Sequence, residues 1–537
     1  MFHWLDKLLR RNNQHSQDIN SSLDRSETEG RLISKNLAHN KKVLTEIFNQ
    51  CSHLVIREIQ IGRDNSLEAM LVYLEPLVNA ELLERLILRP LMDITQFPSQ
   101  EELLPFLKKR VVTAGKIIEY NHWADITDEI ARGLTALFIN GQNSVLLFCT
   151  LEDVYRSIDQ PTIETVAKGP CDAFNEDLRT NIALLLRRLP TPRLAVEKLR
   201  LGAVTRTEVN IVYLKGYVMP GLIEEIKQRI ERIKVDNFIG TGQLEEYIQD
   251  NPYSPFNTIE STERPDRMAS HLLEGRAGIL MNNTPFALIV PITIASQLQS
   301  PEDYYNRYWF SSFIRFIRWI SLLTALFAPS LYIAITTFHQ ELVPTFLLIS
   351  IVSSREGVPF PSLVEALIME LTFEVLREAG IRLPRPFGQT ISIVGAVVIG
   401  QAAVSAGLVS PVMIVIVSLT AITNYTIPSI NVSNTVRLLR FPFMILAATF
   451  GLFGVMLGFT VLGFHLCSLR SFGVPYLSPI APLSLSDLKD TFIRVPYWMM
   501  LLRPRLIGYP ALQRQDANQK PGPTKRHRNV PTRRGKE

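Results

Sequence analysis

The stretch Pro386–Val436 contains no charged side chain, and this feature limits the possible folds more than any other. It is long enough for two membrane-spanning helices, because one span needs about 20 apolar residues. The stretch divides at Gly407–Pro411 into two expected spans. Together with two further uncharged, apolar runs, the expected spans are 319–338, 389–407, 411–431 and 441–467. The sequence therefore predicts an α-helical polytopic membrane domain.

The flanks of the spans predict their orientation. Aromatic and basic residues precede the first span, as is typical of a cytoplasmic flank. They are Tyr304, Tyr305, Arg307, Tyr308, Trp309, Arg315 and Arg318. The apolar run 342–354 is too short for an ordinary span and predicts a re-entrant or tilted piece. Four spans would place the N-terminal region and the basic tail in the cytoplasm, with Arg437 and Arg440 outside as a mild exception.

An acidic, amphipathic helix is expected over 362–379, because apolar residues recur there at helical spacing. Glu370, Glu374 and Glu378 fall four residues apart on another face, and Gly380 is placed to end the helix. Two interpretations remain open. The glutamates could form a solvated face at the membrane surface, or an acidic ring at the mouth of a pore built by several copies, which would select cations.

The next span, 389–407, is rich in glycine and alanine, which let helices approach closely. Two interpretations remain open here as well: simple helix packing, or a helix that lines a pore or cavity. On the second interpretation, Val397, Gln401, Val404 and Leu408 recur at i, i+4, i+7 and i+11 and would line the pore.

The region before the spans has a soluble α/β pattern. Two short strands flank an Asn-Gly turn in 134–148, and a similar hairpin is expected around Asn282 and Asn283 in 276–290. The hairpins predict two small subdomains, which could be distant duplicates. The expected organisation is a polar flexible arm (1–35), subdomains at 36–160 and 161–305, the membrane domain (306–470) and a basic, Pro-rich tail (471–537).

Composition and motifs argue against several functional classes. The net charge of +5 is mild, and no basic, aromatic-interleaved stretch indicates nucleic-acid binding. The four cysteines are scattered, so neither a disulfide framework nor a metal site is expected. No catalytic or cofactor motif is present, and the acidic residues near Asp177 suit the start of a helix. We therefore expect neither an enzyme nor a bound cofactor.

Long segments of the sequence resemble the A subunits of the GerA family of spore germinant receptors. In the membrane domain they are SREGVPFPSLVEALIMELTFEVLREAGIRLPRPFGQTISIVGAVVIGQAAVSAGLVSP (354–411) and SFGVPYLSP (471–479). In the soluble region they are GPCDAFNEDLRTNIALLLRRL (169–189), STERPDRMASHLLEGRAGIL (261–280) and TPFALIVP (284–291). The resemblance covers roughly residues 40–485, without the arm or the end of the tail.

The resemblance implies a function and a set of partners. Such a subunit lies in the inner spore membrane with its N-terminal domain in the cytoplasm. It works with a transporter-like B subunit that senses the nutrient and with a lipoprotein C subunit. Copies of the A subunit are expected to assemble, as a pentamer, into a nutrient-gated channel for monovalent cations. A carrier and a non-conducting membrane scaffold or signalling subunit remain the alternatives.

Overall fold

The computed structural model describes residues 31–62, 67–98, 102–111, 117–151, 160–382, 400–508, 511–516 and 519–522. Most of the predicted arm, most of the expected span 389–407 and the end of the predicted tail lie outside these ranges. The N-terminal region is α/β and is followed by long helices. Both parts of the predicted fold class are therefore confirmed.

The first soluble half, residues 31–151, is built around a five-stranded antiparallel sheet in the order β1-β2-β4-β5-β3. Its elements are α1 (Leu37–Ile47), β1 (Leu54–Ile61), β2 (Leu67–Leu74), α2 (Ala80–Leu83), α3 (Arg89–Met92), α4 (Leu103–Phe106), β3 (Ile117–Tyr120), α5 (Trp123–Ala131), β4 (Thr135–Ile139) and β5 (Val145–Phe148). Two five-residue π-helical turns, Glu84–Leu88 and Leu107–Val111, continue α2 and α4.

The second soluble half, residues 160–305, has a sheet of the order β6-β7-β9-β10-β8. Its elements are α6 (Leu178–Arg188), β6 (Leu194–Leu201), β7 (Thr207–Leu214), α7 (Leu222–Glu231), α8 (Thr241–Ile248), β8 (Glu260–Thr262), α9 (Pro265–Leu273), β9 (Ala277–Met281), β10 (Ala287–Val290), α10 (Ile294–Gln297) and α11 (Glu302–Tyr305).

The two halves repeat one plan down to the pairing of residues. Thr135 pairs with Phe148 in the first half, and Ala277 pairs with Val290 in the second, each residue numbered 142 higher. The strand orders correspond one to one. These matches support the hypothesis of duplication. Each sheet falls within one predicted subdomain, although the boundary between 160 and 161 stays a prediction.

A shared apolar core joins the halves. One cluster of buried side chains takes residues from both sheets and from α1, α5, α6 and α9, including Leu44, Trp123, Leu185 and Met268. The opposite side of each sheet has its own cluster, covered by α2–α4 in the first half and by α7 and α8 in the second. Since successive side chains of a strand point to opposite faces, each strand contributes to two cores.

The helical block after the soluble halves contains α12 (Tyr308–Thr337), α13 (Thr345–Arg355), α14 (Ser362–Arg382), α15 (Gly400–Ser405), α16 (Pro411–Tyr425) and α17 (Ile430–Ser468). A short hairpin follows, formed by β11 (Arg470–Ser471) and β12 (Val474–Pro475). Among the described residues, α12 and α17 are long and apolar enough to cross a membrane. The helices α13 and α16 are apolar but shorter.

Helix α17 reverses direction at Gly451, whose φ of 62° and ψ of −143° are not helical. A Cβ placed on Gly458 would lie 2.7 Å from the Phe443 ring, although these residues would be roughly 22 Å apart along one helix. The segment is therefore a pair of antiparallel arms, 430–450 and 452–468. The expected single span 441–467 is wrong in this respect, because an apolar run containing glycine does not reveal where the chain turns.

Both arms of α17 return to the soluble region. The Thr435 hydroxyl donates to the Pro255 carbonyl at 2.5 Å, and the His465 Nε2 lies 2.9 Å from the Ser254 hydroxyl. The far ends of α12 and α17 also meet, since a Cβ on Gly451 would lie 2.8 Å from the His339 ring. The reversal at Gly451 therefore marks the end of the block furthest from the soluble halves.

The beginning of the predicted tail is folded against the second soluble half. Tyr476 is fully buried, and its hydroxyl donates to Gln297 at 2.8 Å. Further along, the Arg503 guanidinium donates to the Leu273 carbonyl at 2.7 Å. The basic, Pro-rich composition did not indicate this packing because the partners lie far away in the sequence. We call residues 470–516 the C-terminal segment.

Candidate functional site

Helix α14 carries the predicted acidic residues, and it lies alongside the long helices. Its first residue, Ser362, has its hydroxyl 3.2 Å from that of Thr336 at the far end of α12. Twelve residues later, Glu374 accepts from Arg437 Nε at 2.7 Å, near the soluble end of α17. The helix therefore runs along the block, which differs from a helix lying flat at a membrane surface. It also continues past Gly380 to Arg382.

The N-terminal turn of α14 is tied to its neighbours by Glu365. This carboxylate is fully buried; it pairs with Arg355 at 3.0 Å and accepts from the Ser410 backbone N–H at 3.0 Å. Ser410 is the N-cap of α16. One carboxylate thus fixes α14 to the end of α13 and to the start of α16.

Glu370 and Arg440 form an ion pair inside the helical block. Each side chain is 3% exposed, and Arg440 Nε also donates to the Ala325 carbonyl of α12 at 2.9 Å. The pair thus connects α14, α12 and the first arm of α17. The pairing with Glu370 and the bond to the Ala325 carbonyl allow the charge of Arg440 to lie within an apolar helix.

The other two predicted acidic residues are more accessible. Glu374 and Arg437 form an ion pair whose side chains are 26% and 21% exposed. Glu378 pairs with Arg382 of its own helix at 2.7 Å and is 60% exposed. All three predicted residues are therefore engaged in ion pairs within one chain, and burial decreases from Glu370 to Glu378.

The structure brings together part of the predicted pore-lining set. Gln401 and Val404 lie on α15, where Gln401 is exposed and Val404 is half-buried. The helix ends at Ser405, and Gly407 adopts a left-handed φ of 67°. Leu408 therefore does not continue the helical face as predicted. Val397 lies outside the described residues.

A second polar cluster joins α12 to the C-terminal segment. Arg315 Nε donates to Asp303 at 2.9 Å, and its Nη1 donates to Asp490 at 2.7 Å. Arg318 donates to the same Asp303 carboxylate at 2.7 Å. The sequence indicated an aromatic and basic flank of the first span here, and the structure shows that Arg315 of this flank is buried, with 1% of its side chain exposed. Sequence reasoning missed this cluster because Asp490 is 175 residues from Arg315.

Cavities near this cluster are small. The largest of them is about 270 Å³ and lies between Glu274 and the C-terminal segment, with Asp487 and Arg514 in its wall. No group of three or more candidate metal ligands occurs in the parts of the chain that the structure describes. The acidic residues singled out near the start of α6 act locally: Asp177 caps the helix by accepting from Thr180 N at 2.9 Å.

Comparisons with known proteins agree with the resemblance seen in the sequence. The family described as Bacillus/Clostridium GerA spore germination protein matches residues 42–506. The chain is 43% identical to the Uncharacterized membrane protein YfkQ of Bacillus subtilis (strain 168), over 91% of this chain and 96% of that protein. It is 40% identical to Spore germination protein KA of the same organism, over 91% of this chain and 89% of that protein.

Two further similarities concern a shorter alignment and a solved structure. Spore germination protein A1 of Bacillus subtilis is 42% identical over 76% of this chain and 82% of that protein. The crystal structure of the N-terminal domain of the A subunit of the Bacillus megaterium spore germinant receptor GerK3 is 30% identical, with a TM-score of 0.38, and covers 48% of this chain and 96% of that domain. The chain belongs to the GerA family of spore germination proteins.

Proposed function

We propose that this protein is the A subunit of a nutrient germinant receptor and that several copies assemble into a gated channel for monovalent cations. The family assignment and the names of its relatives support the receptor role. The proposed location is the inner spore membrane, with the soluble halves in the cytoplasm. The proposed partners are a transporter-like B subunit and a lipoprotein C subunit. No enzymatic step is part of the proposal.

The observation that carries the channel proposal is the placement of carboxylates inside an apolar helical block. Glu370 is almost completely buried there, next to helices of membrane-spanning character. Ionisable residues at such positions are costly, and they commonly mark ion or substrate pathways. The same proposal assigns the half-buried Val404 to the constriction of the ion path.

A potassium-release assay on spores tests this proposal with Val404→Ala. If Val404 lines the gate, the smaller side chain should widen the constriction and cause early or nutrient-independent release. Val415→Ala is the matched control, since Val415 is 66% exposed on α16, and this variant should behave as the wild type. Normal, nutrient-dependent release in Val404→Ala would move support to the scaffold or carrier alternatives.

A direct measurement of conduction separates the alternatives further. The purified receptor, with its partners, can be reconstituted into liposomes and tested for nutrient-dependent potassium flux. A channel should give flux that saturates weakly with potassium concentration, whereas a carrier should saturate strongly and turn over slowly. A scaffold would give no flux that depends on this chain.

A further inference from the structure

Helix α14 is held both by apolar packing, mostly in its first half, and by charged contacts further along. Within its 21 residues, Ser362, Glu365, Ala366, Met369 and Glu370 are the buried ones. Beyond Glu370, large apolar side chains are exposed, including Leu371 at 56% and Val375 at 68%. The position of the later part of the helix is therefore set by the ion pairs of Glu370 and Glu374 together with the packing of Phe373 against the apolar core.

These two ion pairs both end on the first arm of α17. Arg437 and Arg440 are three residues apart, and Glu370 and Glu374 are four apart, so each pair of residues shares one helical face. The two contacts thus form a matched set along the line where α14 meets α17. We call this set the α14 latch.

The deeper pair of the α14 latch lies well inside the block. Arg440 bonds to Ala325, which is seven residues beyond Arg318, a contact to the soluble half. At 1.5 Å per residue this places it roughly 10 Å beyond that contact and roughly 18 Å before the far end of α12. Solvation of the charges by bulk water is therefore reduced at this depth.

The deeper pair is incompletely satisfied. Glu370 Oε1 and Arg440 Nη2 are buried without a hydrogen-bond partner among the residues described. A buried ion pair of this kind contributes little net stability compared with apolar residues. Removing one of its two partners is nevertheless costly, because the other charge stays buried. Such a pair is well suited to hold one of two arrangements, since its energy changes strongly when the partners separate.

We propose that the α14 latch holds the closed state, and that opening separates Glu370 and Glu374 from Arg440 and Arg437 so that the carboxylates turn toward the ion path. This inference rests on the proposed channel function and adds its gating contacts. It also explains why the predicted acidic residues are neutralised by arginines within a single chain. The Glu365 contacts are the fixed end from which α14 moves.

Charge reversal tests the α14 latch in the full receptor. Arg440→Glu and Glu370→Arg should each release potassium from spores without nutrient, because like charges would then face each other. The double variant restores an opposite-charge pair and should restore nutrient dependence. Reversal of both Glu84 and Arg89, an exposed ion pair in the first soluble half and away from the helical block, is the control and should leave release unchanged.

A labelling experiment reads the position of α14 without relying on conduction. Met369 is 3% exposed, so Met369→Cys, in a chain with its four native cysteines replaced by serine, should react slowly with a charged thiol reagent. Arg440→Glu should increase the labelling rate about tenfold, as expected for a tenfold larger open population. The double reversal should return the rate to that of the parent.

Glu370→Gln keeps the size of the side chain and removes its charge, so it tests the proposal even where the reversals fail to fold. It should also raise labelling and nutrient-independent release. Wild-type labelling together with nutrient-dependent release in Glu370→Gln would overturn the α14 latch and leave the channel proposal standing. If the wild-type receptor conducts no potassium while labelling follows the predicted pattern, the channel proposal fails and the contact between helices stands.

Discussion

Equivalent positions in the two soluble halves carry different chemistry. The first half has Ile118 and Leu134 where the second half, 142 residues later, has Glu260 and Arg276. Both halves nevertheless have the same strand order and pairing. An apolar side chain is therefore sufficient at these positions for the fold, and the charges of the second half serve another purpose.

The charged side chains of the second half form one buried network. Arg267 Nε lies 2.6 Å from Glu260, and its Nη1 lies 2.7 Å from Glu164. His271 lies between two carboxylates, at 3.6 Å from Glu260 and 3.5 Å from Glu274. Burial by itself would raise the pKa of Glu260, but Arg267, His271 and Arg276 together outweigh it and hold that pKa at about 2.

The location of the network indicates its purpose. Tyr305, just before α12, donates to Asp266 at 2.8 Å, and Arg503 of the C-terminal segment donates to the carbonyl of Leu273 at 2.7 Å. In the first half, the region equivalent to that of Asp266 contacts residues near the N-terminus, where Ile33 N donates to Asn121 O at 3.1 Å. The charged residues of the second half therefore lie where this half contacts the segments before and after the helical block.

Among the changes that test the difference between the two halves, removal of Arg267 should have the largest effect on stability. Arg267→Met leaves Glu260 buried without its closest partner, so the free energy of unfolding of the second half should fall by about 3–5 kcal/mol. The equivalent first-half residue, Asp125, is exposed, and Asp125→Ala should change stability by less than about 0.5 kcal/mol. Pulse proteolysis of the full-length protein in urea, read peptide by peptide, measures each half.

A double variant shows whether the network can be replaced by apolar residues. Glu260→Leu combined with Arg267→Met removes both charges. It also places an apolar residue at position 260, as the first half has in Ile118. It should lose less stability than Arg267→Met alone, with a coupling of about 1–3 kcal/mol. Equal losses in the single and double variants would show that the remaining charges, and not this pair, control the stability of the second half.

Equivalent glycines provide the next test, because Gly133 and Gly275 have φ of 97° and 95°. A Cβ on Gly275 would lie 2.5 Å from the Tyr217 backbone oxygen, whereas one on Gly133 would meet the movable side chain of Leu151 at the same distance. Gly133→Ala should cost about 1–2 kcal/mol from backbone strain alone. Gly275→Ala should cost about 2–4 kcal/mol, because rigid atoms add overpacking.

The same proteolysis experiment compares the two glycine variants. Gly275→Ala should also expose the C-terminal segment to cleavage, since a Cβ there lies 3.2 Å from the Ile507 carbonyl oxygen. A smaller loss in Gly275→Ala than in Gly133→Ala would contradict the view that the second half is the more constrained of the two.

The effect of pH on stability should differ in direction between the halves. Of the changes compared here, it should be the smallest. Burial raises the pKa of Glu245 to about 7, helped by the charge of Glu246. The folded second half therefore holds a proton that the unfolded chain releases near pH 4.5, and this stabilisation is lost as the pH rises to about 7. The expected loss is about 1–2 kcal/mol between pH 5 and 8, and Glu245→Gln should abolish it.

The first half provides the internal reference for this experiment. Its Glu119 has a lowered pKa because Lys108 bonds to the carboxylate, so its stabilising effect is complete above the ordinary pKa and is lost in acid. The first half should therefore change little between pH 5 and 8. A pH dependence of the second half that persists in Glu245→Gln would require a different titrating group.

Local chemistry made part of this structure predictable from the sequence. The hairpins at Asn140-Gly141 and Asn282-Asn283 were predicted correctly because turn residues between apolar runs act over a few positions. The first long helix was also predicted from local sequence, because an uncharged apolar run of sufficient length marks it. The acidic helix was also found, although it extends to Arg382.

Contacts between distant residues could not be predicted in this way. Arg437 and Arg440 looked like the end of a span, because their partners Glu374 and Glu370 lie 63 and 70 residues away. The reversal at Gly451 was missed because the flanking residues are apolar on both sides. In each case the deciding interaction is tertiary, and a single sequence without its three-dimensional neighbours does not reveal it.

The distance in sequence between Arg315 and Asp490 also sets an order of events during synthesis. The ribosome must add 175 residues after Arg315 before Asp490, its second acidic partner, exists, which takes roughly 10–35 s at about 5–20 residues per second. During this interval the first long helix is made while the site that receives the C-terminal segment is still open. A product that stops short of Asp490 would keep the Asp303 contact of Arg315 but lose the second one, and the uncovered site would be open to proteases.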